Sequence, residues 1–189
     1  MPTLYLLRHG LTAANLEDRF AGRTDEPLLP EGAAQLRSAA ASLATADIAA
    51  ICCGPLARTV QSATVAAEIL KAPVKIIEEL NEIRIPHWDG LSKTEIRQRF
   101  GDQYPTWLET PDNFQVAGCE TLSQVQQRAV SAAERLGREH PGRNILIISH
   151  LIVLRTLILH YRQLPLAAFR SIKIANSQVV AVAPSLPFS

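Results

Sequence analysis

The chain has 189 residues, enough to bury a sizeable core and within the usual size of one domain. Hydrophobic residues make up 47% and charged residues 20%, which excludes a disordered or fibrous chain and describes a globular one with an aliphatic, alanine-rich core. Nineteen basic against eighteen acidic side chains leave a formal charge of +1, so no overall field draws in nucleic acid or a membrane surface, and an anionic ligand must be held by a local cluster.

Three cysteines, two of them adjacent at Cys52 and Cys53, make neither a disulfide framework nor a zinc-ligand spacing, and point to a reducing cytoplasm. The N-terminus lacks the basic region, apolar core and cleavage site of a signal peptide. The most apolar stretch, 145–161, is interrupted by His150 and Arg155 and is too short for a membrane span, so it reads as a strand followed by a helix.

Short apolar runs alternate with longer amphipathic ones along the chain. This pattern predicts an α/β fold: a three-layer α/β/α sandwich with a central, mostly parallel sheet and helices on both faces. Strands are expected at 3–7, 48–53, 74–77 and 144–149, with a final one or two in 172–182, whose edge offers a surface for a homodimer. The first helix starts at Pro30, with Glu31 in its opening turn, and runs to about residue 45. Others are expected over 57–70, 93–100, 123–139 and 151–160, the last with Leu151, Leu154 and Ile158 on one face. The stretch 101–118, with Pro105, Trp107, Pro111 and Phe114, reads as a long loop or lid. No repeat or linker divides the chain, so one domain is expected over 1–189.

Ligands of open parallel sheets bind beyond the carboxyl ends of the strands. "RHG" ends the first predicted strand, "CGPLAR" follows the second, "EELNE" the third, and "SH" ends the fourth. Four segments thereby deliver Arg8 and His9, Arg58, Glu82, and His150 to one rim. Two guanidinium groups match phosphate oxygens in a bidentate fork and stay charged at any working pH. A neutral imidazole can attack phosphorus, and neighbouring arginines favour its neutral form. Glu82, desolvated beside a transferred dianion, can hold a proton for the leaving alkoxide; Glu79 is its rival in the same segment. No P-loop and no magnesium-type carboxylate cluster is present.

The ordered set "RHGLTAAN", "FAGRTDEPLLPEGAAQ", "GPLARTVQSA", "ELNE", "GCETL" and "IISH" resembles the histidine phosphatase superfamily, in its phosphoglycerate-mutase-like branch, over nearly the whole chain. The resemblance implies that His9 is a nucleophile that becomes phosphohistidine and that Arg8, Arg58 and His150 form the phosphate pocket. It further implies that Glu82 is the proton donor, that Asn15 helps hold the phosphoryl oxygens with Thr12 in support, and that neither metal nor cofactor is used. Leu151 stands where relatives usually have Gly after the second histidine, Pro86 and Asp89 replace Gly and Glu in "IRIPHWDG", and Cys119 replaces the second Gly of the G-G-E-S segment. Arg155, in mid-helix, reads as one half of a structural ion pair, and His87 and Trp88 either border the substrate or pack internally. Three functions fit: a metal-independent phosphatase for a small phosphorylated metabolite, a phosphoglycerate-type mutase, and a phospho-ligand-binding protein without turnover. The chain length leaves little room for a cover that would keep water from a phosphohistidine, which favours hydrolysis.

Overall fold

Strands form where the chain runs apolar without interruption. The computed structural model describes residues 3–183. In chain order it contains β1 (Leu4–Arg8), α1 (Ala13–Leu16), α2 (Pro30–Ala41), β2 (Ile48–Cys53), α3 (Ala57–Leu70), β3 (Val74–Ile76), α4 (Lys93–Arg99), α5 (Gln103–Glu109), α6 (Leu122–Glu139), β4 (Asn144–Ser149), α7 (Leu151–Tyr161) and β5 (Val179–Val182). Short 3-10 turns cover Glu78–Leu80, Pro111–Asn113 and Leu166–Ser171. The sheet order is β3-β2-β4-β1-β5, parallel throughout except for β5, which pairs antiparallel with β1 at the edge.

The central strand β4 is buried from Ile145 to Ser149 because both of its faces are covered, as parallel strands require. Side-chain alternation splits the core in two. Leu4, Leu6, Cys52, Ile145 and Ile147 face α6 and α7, whereas Leu7, Ile51, Cys53, Leu146 and Ile148 face α2 and α3. This is the three-layer α/β/α arrangement. The adjacent cysteines therefore point to opposite faces, and burial pushes their thiols up to about 12 at Cys52 and about 11 at Cys53, so both stay protonated and pack as small apolar groups. Among the described residues no helix is long and apolar enough to cross a membrane.

Three expectations change. The segment 101–118 is not a loop: it holds α5 and the Pro111–Asn113 turn, because Tyr104, Trp107 and Phe114 pack edge-on or tilted against Trp88 and bury enough ring surface to fix it. Helix α7 does not present a single apolar face; every residue from Ile152 to Leu159, Arg155 included, is buried between α6, the sheet and the Leu166–Ser171 turn. The first long helix also stops at Ala41, with turns following it.

One close approach fixes the loop after β1. A Cβ at Gly32 would lie 2.5 Å from the Leu11 nitrogen and 2.6 Å from its oxygen, and one at Gly10 would lie 2.9 Å from the Gly32 oxygen. The start of α2 thus packs backbone to backbone on the loop that carries His9. Alanine at this helical position would normally gain about 1 kcal/mol over glycine. Here the clash with rigid backbone dominates, so Gly32→Ala should lower stability by about 1–3 kcal/mol, seen as a fall in the urea midpoint at unchanged slope. A midpoint at or above that of the unaltered protein would show that the loop yields freely.

Candidate active site

Strand register brings the candidate residues together. Arg8 lies opposite Ser149 and Cys53 opposite Ile148, so β1, β2 and β4 end level with one another. Beyond those ends the His9 backbone N–H donates to the Ser149 oxygen (3.0 Å) and the Gly54 N–H to the Ile148 oxygen (3.2 Å). The Ser149 hydroxyl donates to the Leu80 oxygen at 2.7 Å, which ties the turn before Glu82 to the same rim. The result is a cavity of about 390 Å³ whose wall includes Arg8, His9, Asn15, Arg58 and Glu82.

His9 and His150 face each other with ring centroids 5.3 Å apart. The Gly10 carbonyl lies 2.7 Å from His9 Nδ1 and can only accept, so that nitrogen carries the proton and Nε2 keeps its lone pair. Burial, then Arg58 and Arg8, holds His9 well below the usual imidazole range. The ring is neutral and nucleophilic at physiological pH. His150 is held low by burial and then Arg58 in the same way. Its Nδ1 accepts from Arg58 Nε at 3.3 Å, which places its own proton on Nε2, a buried donor with no partner among the described residues.

Arg58, 1% exposed, also donates from Nη1 to the Thr24 oxygen (2.7 Å) and from Nη2 to the Gly22 oxygen (2.6 Å). Three of its five N–H donors are thus committed, which fixes the plane of the guanidinium and leaves two for a ligand. Arg8 is anchored by Nη1 on the Ile174 oxygen at 2.9 Å, and its buried Nε has no partner among the described residues. Opposite them, Glu82 Oε1 accepts from the Ile83 N–H at 2.8 Å. Burial raises its carboxyl above the usual range, against the opposing pull of that N–H and of Arg58, Arg128 and Arg8. Glu79 is outside the cavity, paired with Arg135 at 2.8 Å and half exposed.

Asn15 lines the cavity; Thr12 does not. Thr12 is buried behind it, donating its backbone N–H and its hydroxyl to Asn15 Oδ1, both at 3.2 Å. Asn176 Nδ2 donates to the same oxygen at 2.9 Å and also to the His9 and Gly10 oxygens. The amide oxygen is saturated, so the Asn15 NH₂ is the end free to meet a ligand. Three further residues were not anticipated. Arg128 donates to the Glu79, Asn81 and Glu82 oxygens, Arg23 Nε donates to the Glu82 oxygen at 2.9 Å, and Glu120 bridges the two arginines. This lattice holds the backbone that carries Glu82. Only "GCETL" hinted at it, since the partners lie up to about a hundred residues apart.

Trp88 packs against Phe20 and Phe114, and His87 is bound to Gln103 through Nε2 at 2.7 Å, so neither borders the cavity. Leu151 does line it, whereas Cys119 contacts His87 instead. Arg155 is not in an ion pair: its Nε donates to the Ile172 oxygen at 2.8 Å, and among the described residues no carboxylate is in reach. Ile152 and Leu159, one helical turn to either side of it, are apolar and buried, so the helix itself supplies no partner.

A neutral imidazole, a carboxyl inclined to keep its proton and two guanidiniums around one cavity suit transfer of a phosphoryl group. Comparison with known proteins agrees. The model of the histidine phosphatase superfamily (branch 1) matches residues 4–185. Phosphoserine phosphatase 1 of Hydrogenobacter thermophilus is 26% identical over 94% of this chain and 84% of its own length. The adenosylcobalamin/alpha-ribazole phosphatase of Escherichia coli is 28% identical over 87% of this chain and 81% of its own. Among solved structures, Bacillus stearothermophilus YhfR superposes with a TM-score of 0.91 at 30% identity, covering 96% of this chain and 90% of that one. With the family model spanning almost the entire chain and the motif residues gathered at one strand-end cavity, this protein belongs to branch 1 of the histidine phosphatase superfamily.

Proposed function

We propose that this phosphatase hydrolyses small phosphomonoesters in two in-line steps through a phosphohistidine on His9. The phosphoryl dianion sits between Arg8 and Arg58, with the Asn15 amide and His150 as further donors. His9 Nε2 attacks phosphorus, the ester P–O bond breaks, and the Glu82 carboxyl passes its proton to the departing alkoxide. Glu82, now a carboxylate, accepts a proton from water as the water oxygen attacks phosphorus and the bond to His9 Nε2 breaks, which releases inorganic phosphate and restores neutral His9. The guanidinium groups supply the charge neutralisation, so no metal ion enters either step.

The observation that carries this reading is the opposite displacement of two buried groups: His9 is kept neutral and Glu82 inclined to stay protonated, the states the first step needs. Relatives named as phosphoserine and alpha-ribazole phosphatases support the hydrolysis of phosphate esters. In the test, purified protein is given p-nitrophenyl phosphate in excess chelator and quenched during turnover. The expected results are undiminished hydrolysis and an acid-labile, base-stable phosphoprotein. A chelator-sensitive rate, or no phosphoprotein at any quench time, would overturn the reading. A mutase would share the intermediate, so 3-phosphoglycerate with a bisphosphoglycerate primer is also supplied; stoichiometric inorganic phosphate without 2-phosphoglycerate is expected.

A further inference from the structure

The cavity continues past the phosphoryl pocket to Trp107, Arg155 and Arg170. Six cationic side chains line it in all, and they divide by partner. Arg19 is paired with Glu17 and Glu26, and Lys93 with Asp18. Arg8, Arg58, Arg155 and Arg170 have no carboxylate within ion-pair distance among the described residues. The first two are accounted for by a phosphoryl group; the last two are not.

Arg155 is 7% exposed and is the one charged residue in the buried run Ile152–Leu159 of helix α7. Its guanidinium lies 4.9 Å from the centre of the Phe169 ring, and beyond the single bond from Nε its terminal nitrogens donate to no group among the described residues. Arg170 donates from Nη2 to the Trp107 oxygen, lies 5.6 Å from the Trp107 ring and 5.9 Å from that of Phe169, and keeps a buried Nε without a partner. Burial, with Arg170 and Arg8 beside it, pushes Arg155 down to about 10, still charged at neutral pH. A buried cation and a half-buried one beside it, without a counter-ion among the described residues, are unfavourable in the empty protein, and an anion from outside relieves that cost. Aromatic faces hold both guanidiniums in place and leave their remaining N–H donors for a ligand.

The same backbone stretch sets the spacing. The Ile172 oxygen holds Arg155 and the Ile174 oxygen holds Arg8, and burial alternates along 172–175 as in an extended chain. Carbonyls two residues apart point the same way, roughly 7 Å apart at 3.3 Å per residue. A short carbon chain spans that distance.

We propose that Arg155 and Arg170 form a second anion subsite, so that the preferred substrates are small phosphomonoesters bearing a further acid group, carboxylate or phosphate, a short carbon chain from the ester. This rests on the phosphomonoesterase reading above. The experiment compares kcat/KM for 3-phosphoglycerate with that for glycerol 1-phosphate, and for propane-1,3-diol bisphosphate with that for 3-hydroxypropyl phosphate. The two pairs separate carboxylate from phosphate as the second group. At least one ratio should be about tenfold or more in favour of the acidic tail, and Arg155→Met and Arg170→Met should each bring it towards one, chiefly through KM. Calorimetric Kd values of the same esters with the His9→Asn protein should give the same ranking without turnover. Turnover with every ratio near one, or ratios that survive both substitutions, would overturn the subsite. Absence of turnover with the binding preference intact would instead overturn the hydrolytic reading and leave the subsite standing.

Discussion

Replacing His9 by alanine should reduce kcat/KM for any phosphomonoester by at least about 10,000-fold, a loss of about 5.5 kcal/mol of transition-state stabilisation. The size follows from the role. Without Nε2 there is no covalent intermediate, and water would have to attack phosphorus directly, while in the proposed reaction Glu82 serves the departing oxygen on the opposite side. The anion site should survive, because Arg8 and Arg58 are anchored on the Ile174, Thr24 and Gly22 oxygens and not on His9. Inorganic phosphate should therefore still bind to His9→Ala, within a few-fold of the unaltered Kd, and the thermal midpoint should move little. Hydrolysis within a hundredfold of the unaltered rate would require another nucleophile. Loss of phosphate binding together with the rate would mean that the substitution had collapsed the pocket.

Much of this site was legible because Arg8, His9 and His150 sit within a residue of a strand end that hydropathy marks clearly, and Arg58 and Glu82 follow the next two strand ends by about a turn and a half of chain. "LLRHG" turns from apolar to polar at the end of β1, "IISH" does the same at the end of β4, and parallel register must then bring the two histidines together. Of the two rival carboxylates Glu82 lines the cavity and Glu79 does not, since the Glu78–Leu80 turn directs one inward and leaves the other to Arg135. What escaped was non-local. Asn176 reaches the His9 and Gly10 oxygens from 166 or more residues away, and Arg23 meets Glu120 and Arg128 beside the Glu82 carbonyl from about a hundred residues away. Apart from "GCETL" around Glu120, nothing in their local sequence marks them. The helix α5 was hidden by Pro105 and Pro111, which read as loop punctuation, although Pro105 falls in the first turn of a helix, where its missing N–H costs nothing. Arg155 was misread because helical spacing reveals its face and not its partners, and the partner it lacks is what gives it a place in the cavity.

Glu82→Gln should divide substrates by leaving group. For an alkyl ester, whose alkoxide cannot depart without a proton, kcat/KM should fall by about 100- to 10,000-fold, whereas for p-nitrophenyl phosphate it should fall by less than about tenfold. kcat/KM is the quantity to use, because it ends at the first irreversible step and excludes the later attack of water, in which Glu82 has a second role as base. The pH dependence carries a matching signature. The first step needs His9 neutral and Glu82 protonated. Because His9 is displaced well below the usual imidazole range, the acid limb of the alkyl-ester profile should lie below pH 6.5. Because Glu82 is displaced upward, the basic limb should lie above the ordinary carboxylate range. In Glu82→Gln that basic limb should vanish while the acid limb stays, since glutamine does not titrate and His9 is unaltered. A like fall for both leaving groups, or a basic limb that persists in the variant, would remove Glu82 from the proton transfer and pass the role to another group on the cavity wall.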